Sequence, residues 1–354
     1  MSSITSTQLE SLSNEILLDI FEYLDAYQMY QAWYGLNARI NSLLRSTQLF
    51  ILHDQSIVDK TSWDWDALTS FYKSSQIRIL SCFDDVNIDK RIPDGPMENL
   101  RTISFHFVRP KLINKICQQI PRDDQIKCLS VQVKSFWYNQ QTKSPPQCIL
   151  IDHSDRLLSL THLSLACHWY EAFPVMSVEL PRLRYLSLAN FKFSHDLLQS
   201  LQMSMPSLRS LKFQGAYYTL IPSSVTVKHV HELSINAHDQ TDISVLVGVL
   251  SNFPSLRRLC IDTQYDRRYL VLNGTICQQL IERYLPQLKQ LTIDFNPGAD
   301  QEILSSFYKG DFWSNKRVKA TTSINRTESR YPLVKTISFG REWRFRYFDN
   351  LQHA

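Results

Sequence analysis

One short unit, apolar-x-x-apolar-x-apolar, returns ten times between residues 77 and 340 and limits the folds open to this chain. It begins as Ile77, Leu80 and Cys82, then Leu100, Ile103 and Phe105, then Ile126, Leu129 and Val131. It continues through Leu160, Leu163 and Leu165; Leu183, Leu186 and Leu188; Leu208, Leu211 and Phe213; and Val230, Leu233 and Ile235. Leu256, Leu259 and Ile261, Leu288, Leu291 and Ile293, and Val334, Ile337 and Phe339 complete the series. Successive second apolar residues are 23, 26, 34, 23, 25, 22, 26, 32 and 46 positions apart. A unit of this length cannot bury its apolar face alone, whereas stacked copies bury a continuous core.

Punctuation between the units sharpens this reading. Pro181, Pro206, Pro254, Pro286 and Pro332 each stand two residues before the first apolar position and stop the segment ahead of them. Those segments have helical spacing: Leu197, Leu198, Leu201 and Met205; Ile243, Leu246, Val247, Leu250 and Phe253; Ile276, Leu280, Ile281, Tyr284 and Leu285. Strand, loop, helix and proline therefore alternate. Over roughly residues 77 to 340 the chain resembles the leucine-rich-repeat proteins, in their irregular variety, because Asn296 alone stands at the family's asparagine position after the strand. That resemblance implies an α/β fold, a β/α solenoid or horseshoe with a parallel sheet on its concave side.

Residues 12 to 45 differ in charge and in period. Up to Leu36 the chain carries Glu10, Glu15, Asp19, Glu22 and Asp25 and no Lys or Arg. Ser13 suits an N-cap, and Ile16, Leu17, Ile20, Phe21 and Leu24 make one broad helical face. Asp25-Ala-Tyr-Gln28 reads as a capping box for a second helix through Met29, Ala32, Trp33 and Leu36, which Asn37 ends before a third through Ile40, Leu43 and Leu44. Three short helices cannot enclose so much apolar surface. It packs on the following domain or is covered by a partner.

The run from Leu12 to Leu24 is similar to the F-box, whose pattern is Leu-Pro-x-Glu-Ile-Leu-x-x-Ile-Phe-x-x-Leu, with Ser13 at the proline position. The resemblance implies a small three-helix domain that binds a Skp-family adaptor and, through it, a cullin-based ubiquitin ligase. Carried over position by position, it assigns adaptor contact to Leu12, Glu15, Ile16, Leu17, Ile20, Phe21 and Leu24. The expected organisation is a polar tail at 1–11, the F-box-like domain at 12–50 and a linker or first cap at 51–76. The solenoid then fills 77–340, and a carboxy-terminal cap 341–354.

Within each predicted strand the residue between the second and third apolar positions faces away from the core. That column reads Ser81, Ser104, Ser130, Ser164, Ser187, Lys212, Ser234, Cys260, Thr292 and Ser338. A serine nucleophile needs a base and an orienting group, and the flanking columns offer scattered His106, His162 and Asp262, so a floor for another protein is expected rather than catalysis. The residue after the first apolar position is basic at Arg78, Arg101, Lys127, Arg184, Arg209, Arg257, Lys289 and Lys335, with Thr161 and His231 as exceptions. This row reads as a solvated edge or as a seat for an acidic or phosphorylated target segment. Aromatics shortly after the strands, including Phe136, Trp137, Tyr138, Trp169, Tyr170, Phe191, Phe193, Tyr217, Tyr218 and Tyr265, read either as loop packing or as a protein-binding rim. The target-binding set is thus Arg184, Arg209, Arg257, Lys289, Trp169, Tyr170, Tyr217 and Tyr218.

Several classes are set aside. Eight glycines and no GxxxxGK or GxGxxG weigh against a nucleotide-cradling loop. A net charge of +4 does not demand a nucleic acid or a membrane, and no run reaches the roughly 18 to 20 apolar residues of a span. His229-x-His231 has no further ligand at metal spacing, so neither metal nor cofactor is expected. Seven cysteines without a CxxC pair read as reduced thiols, which together with a polar amino terminus points to cytoplasm or nucleus. Trp343, Phe345 and Tyr347 alternate with Arg344 and Arg346, which suits a capping strand better than a nucleic-acid arm. The function expected is a non-enzymatic substrate receptor of a Skp-cullin-F-box ligase, or else a repeat scaffold or inhibitor with no ligase role.

Overall fold

The structure is a computed structural model that describes residues 11–53, 71–83, 95–108, 110–121, 125–132, 150, 152–173, 179–214, 217–218, 225–236, 243–263, 272–295, 301–316, 318–324 and 333–339. The chain divides into two compact units, residues 1–132 with 141–157 and residues 133–140 with 158–354.

The first unit opens with helices α1 (Asn14–Phe21), α2 (Ala26–Trp33) and α3 (Ala38–Ser46). Each starts where a short polar side chain can take an orphan helix N–H. The Ser13 hydroxyl accepts from the Ile16 N–H at 3.4 Å. Asp25 and Gln28 form the expected box, with Gln28 N–H donating to Asp25 at 2.8 Å and Asp25 N–H to Gln28 at 3.2 Å. Asn37 does not end α2; its side chain accepts from the Ile40 N–H at 2.8 Å and so starts α3. Helix α2 stops at Trp33 because Tyr34 is extended and Gly35 takes φ +81°, a conformation costly for any residue with a Cβ. Arg39 on α3 ties back to the start of α1, donating to Asn14 at 2.8 Å and to the Leu12 carbonyl at 2.6 Å.

Behind the helices, β1 (Leu49–His53), β2 (Ile77–Phe83), β3 (Thr102–His106) and β4 (Cys128–Gln132) pair in parallel in that order. The sheet therefore starts at Leu49, ahead of the first counted unit. Its alternation, Leu49 and Ile51 both buried, is too short to be seen as a repeat. Helix α4 (Pro110–Gln119) follows β3. Rings of Tyr30, Tyr34, Phe71 and Tyr72 pack together beside α2, Tyr30 stacked on Tyr34 at 4.5 Å and Tyr34 edge-on to Phe71 at 4.7 Å. Part of the surplus apolar surface of the helices is thereby covered by the chain itself.

In the second unit, β5 (His162–Ala172), β6 (Tyr185–Phe193), β7 (Ser210–Gln214), β9 (Glu232–Asn236), β10 (Arg258–Asp262) and β11 (Gln290–Phe295) pair in parallel, and the two-residue β8 (Tyr217–Tyr218) pairs with β6. Helices α5 (His195–Ser204), α6 (Ile243–Leu250) and α7 (Gly274–Tyr284) connect them. Where proline was expected to stop a helix, a tight turn follows. Leu183, Leu208, Leu256 and Leu288 N–H groups donate to the carbonyls of Leu180, Met205, Phe253 and Leu285, at 3.0 to 3.2 Å, across Pro181, Pro206, Pro254 and Pro286. Proline presets the second position of such a turn and has no N–H to waste. The three apolar residues of every parallel unit are buried to 5% exposure or less. This parallel ladder with proline-turned returns is a leucine-rich-repeat fold.

The far end departs from the expectation. After α8 (Gln301–Ser306) and α9 (Asp311–Lys316), strands β12 (Lys319–Ile324) and β13 (Leu333–Phe339) form a hairpin, and β13 lies antiparallel to β11 with Ile293 opposite Ile337. Val334, Ile337 and Phe339 are therefore not a tenth parallel unit. The two-residue alternation of a strand reads the same in either direction, so the motif could not reveal the reversal. The segment expected as the cap, 341–354, lies outside the described residues.

Candidate binding surfaces

The F-box-like positions separate into two sets. Leu17 and Phe21 are 0% and 1% exposed, and Phe21 meets Trp33 edge-on at 5.3 Å. They hold the helical core and present nothing to a partner in this conformation. Leu12, Ile20 and Leu24 are half-buried, whereas Glu15 and Ile16 are exposed. Glu15's carboxyl is held below the ordinary value, first by its own backbone N–H and then by the Ser13 hydroxyl. Four of the six large apolar or aromatic side chains exposed among the described residues, Ile16, Tyr23, Tyr34 and Leu36, belong to this helical segment. Tyr23, Tyr34 and Leu36 lie outside the motif positions, and only the general surplus of apolar residues signalled them in sequence.

The serine column is in register in both units: Ser81 opposite Ser104 and Ser104 opposite Ser130, then Ser164, Ser187, Lys212, Ser234, Cys260, Thr292 and Ser338 in turn. Ser130, Ser164, Lys212 and Cys260 are half-buried. Ser81, Ser104, Ser187, Ser234, Thr292 and Ser338 are all buried. His106 shares a hydrogen bond of 2.6 Å between its Nε2 and the Ser104 hydroxyl, and its Nδ1 lies 3.2 Å from Gln132 Oε1. Because an amide oxygen only accepts, Nδ1 carries the proton and Nε2 accepts from Ser104. Burial lowers the His106 pKa and keeps the ring neutral. This resembles a nucleophile with its base, but Ser104 and His106 are 5% and 7% exposed, and the next backbone donor, Phe107 N–H, is spent on Gln132 O at 2.6 Å. Burial and the used donor give the pair the features of a hydrogen-bonded core contact. Cys260, half-buried in the same column, has its thiol pKa pushed up to about 12, first by burial and then by Asp294 and Asp262, which disfavours the thiolate. His162 stacks on Tyr185 at 4.4 Å, and burial together with Arg184 pushes its pKa down to about 4.

The basic row is real over the parallel strands. Arg184 N–H donates to Thr161 O, Arg209 to Arg184 O, His231 to Arg209 O, Arg257 to His231 O and Lys289 to Arg257 O, all at 2.8 to 2.9 Å. Arg101 and Lys127 continue the same ladder from Arg78 in the first unit. Arg184, Arg209, Arg257 and Lys289 are exposed. Lys335 does not belong to the row: reversal of β13 puts it opposite Phe295, at the other end of the sheet.

Two residues of the aromatic stripe belong to the core. Phe191 and Phe193 are 1% and 0% exposed, with Phe193 against Phe213 at 5.0 Å, so they are core. Trp169 and Tyr170 fall within β5, and Tyr217 and Tyr218 form β8, where they pair with Lys192 and Phe193. They are strand residues rather than rim loops, because β5 and β6 run on past their last repeat position after an irregularity between Ala166 and Glu171. Phe136, Trp137, Tyr138, Tyr265 and Asn296 lie outside the described residues. No group of three or more His, Cys, Asp or Glu side chains fit to hold a metal occurs among the described residues. None of their helices is long and apolar enough to cross a membrane.

No family model matches the sequence, and no curated protein matches it. Among solved structures, the chain is similar to the leucine-rich repeat-containing protein LegL7 from Legionella pneumophila, at 12% identity over 81% of this chain and 89% of that one, with a TM-score of 0.33. A second similarity is to TLR13 in its complex with ssRNA13, at 16% identity over 58% of this chain and 30% of that one, with a TM-score of 0.30.

Proposed function

We propose that the protein is a non-enzymatic receptor in which the amino-terminal helices dock a Skp-family adaptor of a cullin-based ubiquitin ligase and the repeats hold a protein target. The observation that carries the reading is the concentration of exposed apolar side chains, Ile16, Tyr23, Tyr34 and Leu36, on a helical segment whose exposed charges include Glu15, Asp19 and Glu22. Large apolar side chains exposed together on one charged segment are a common mark of an interaction site. The F-box-like run supplies the partner's class. The adaptor-facing set becomes Leu12, Glu15, Ile16, Ile20 and Leu24, with Leu17 and Phe21 supporting it from beneath.

The test is co-expression of the full chain with a Skp-family adaptor. Ile16→Asp should lose capture and leave the melting temperature within about 2 °C of wild type, since exposed substitutions rarely cost more than about 0.5 kcal/mol. Wild-type chain that stays monomeric and captures no adaptor at micromolar concentration refutes the reading.

A second reading has its own support. The Tyr30, Tyr34, Phe71 and Tyr72 cluster joins α2 to the segment ahead of β2, as expected of helices that merely cap a repeat scaffold. Unimpaired target binding by a chain that never binds adaptor would favour this scaffold or inhibitor.

A further inference from the structure

We propose that Arg184, Arg209, Arg257 and Lys289 together seat an extended acidic segment of the target protein. This deepens the receptor reading and rests on its claim that the repeats hold a protein. The ladder of backbone bonds fixes these residues at equivalent positions immediately before β6, β7, β10 and β11, with His231 between them. Stacked strands lie about 4.8 Å apart, so the four steps from Arg184 to Lys289 cover about 19 Å. An extended peptide rises about 3.3 Å per residue, so some six residues match that length.

Among the described residues no acid is paired with the row, and the Arg209 guanidinium donates to the His229 carbonyl at 3.2 Å. Glu232, the acid next to His231, is committed to Arg258 and to the Ser210 hydroxyl. At the turns just before the row, exposed Arg182 and Lys228 outnumber exposed Glu179 among the described residues. Four aligned cations repel one another until an anion lies along them, and Arg forks suit carboxylate or phosphate oxygens. His231 adds a ring whose Nδ1 is buried without a hydrogen-bond partner among the described residues.

A nucleic acid fits less well. Single strands are held by cations interleaved with free aromatic faces. The ring beside this row, Tyr185, already lies face to face with His162, the planes 10° apart. A peptide needs no such faces.

The experiment is fluorescence anisotropy of fluorescein-labelled octaglutamate with the full-length chain. A second arm uses the same peptide carrying phosphoserine at alternate positions, and a third an octauridylate of similar charge. Saturable peptide binding that weakens from low to physiological salt is expected. Arg209→Glu with Arg257→Glu should weaken it by about tenfold or more, because two attractions become repulsions. Arg209→Lys with Arg257→Lys keeps the charge and loses the forked geometry, so it should weaken binding less than the double reversal does. Arg283→Glu with Lys309→Glu makes the same change in net charge away from the row and should leave binding intact. Tighter binding of the phosphopeptide identifies phosphate as the preferred anion and equal binding identifies carboxylate; both support the seat. No saturable peptide binding, equal losses from the two double reversals, or octauridylate binding as tightly as peptide overturns it. Melting curves of every variant show whether a loss comes from unfolding. Adaptor capture by the same proteins keeps the two claims apart: a chain that binds peptide through the row and no adaptor sinks the ligase reading alone.

Discussion

Gly274 offers a test in which two physical effects predict opposite signs. It is the first residue of α7, capped by Asn273, and replacing a helical glycine by alanine ordinarily stabilises by up to about 1 kcal/mol. Here a Cβ would stand 2.4 Å from the Ser306 carbonyl oxygen and 2.9 Å from the Phe307 nitrogen, both backbone atoms that cannot swing aside. The end of α8 would have to retreat by about 0.6 Å or more, and overpacking of that kind costs about 1–3 kcal/mol. Retreat also stretches the bond from Gly274 N–H to the Ser306 hydroxyl, now 2.7 Å, and disturbs Trp313, whose indole N–H donates to the Gly274 carbonyl at 3.1 Å. Trp313 is 1% exposed, so an unpaired indole N–H would add about 1–3 kcal/mol. Contact therefore outweighs propensity, and Gly274→Ala should lose about 2–4 kcal/mol. The assay is urea unfolding followed by tryptophan fluorescence. Gly248→Ala within α6 is the internal control: its Cβ meets nothing within 4 Å, so it should gain up to about 1 kcal/mol. A Gly274→Ala protein as stable as wild type, or both variants shifted the same way, refutes the argument.

Two further outcomes follow from the hydrogen bonds and burial described above. The folded pKa of His162, about 4, lies below its ordinary 6.5, so its contribution is complete above pH 6.5 and is lost as pH falls toward 4. After solvent screening that contribution is of the order of 2 kcal/mol, and His162→Gln should flatten this part of the stability-against-pH curve; parallel curves for both proteins exclude it. Asp25→Ala removes one half of the capping box and should cost about 1 kcal/mol, seen as faster amide exchange across Ala26–Trp33, while Asp25→Asn should retain most of the protection; equal exchange in all three proteins counts against the cap.

Features governed by nearest neighbours were legible in the sequence. Ser13 and Asp25 start helices because a short side chain reaches an N–H three residues ahead, and the proline turns follow from a fixed φ. Asn37 was assigned to the wrong side of its boundary, since asparagine serves at either end of a helix and only the φ of Gly35 shows which helix has ended. Burial within the F-box-like face was less accessible. Ile16 and Leu17 are adjacent and equally apolar, yet one is 47% and the other 0% exposed, a difference set by the rotation of α1 against α2 and α3. The Ser104–His106–Gln132 contact likewise depends on strand register, which places His106 opposite Gln132 across two strands.

Strand direction was hidden from the sequence for a deeper reason, and it bears on where a target can bind. Side-chain alternation has a period of two in both directions, so Ile337 and Phe339 satisfy the core whichever way β13 runs. The 46-residue interval before it, twice that of most neighbours, was the one outward sign that something other than a single return intervened. Among its described residues that interval holds two helices and a hairpin, and reversal follows from the hairpin, because its second strand must run back along the first. The serine column survives the reversal, since Ser338 still lies opposite Thr292. The basic row does not, because a residue at the entry of a parallel strand occupies the exit end of an antiparallel one. The aligned cations of the second unit therefore end at Lys289, which bounds the anionic segment they can hold to about six residues rather than leaving it open along the sheet.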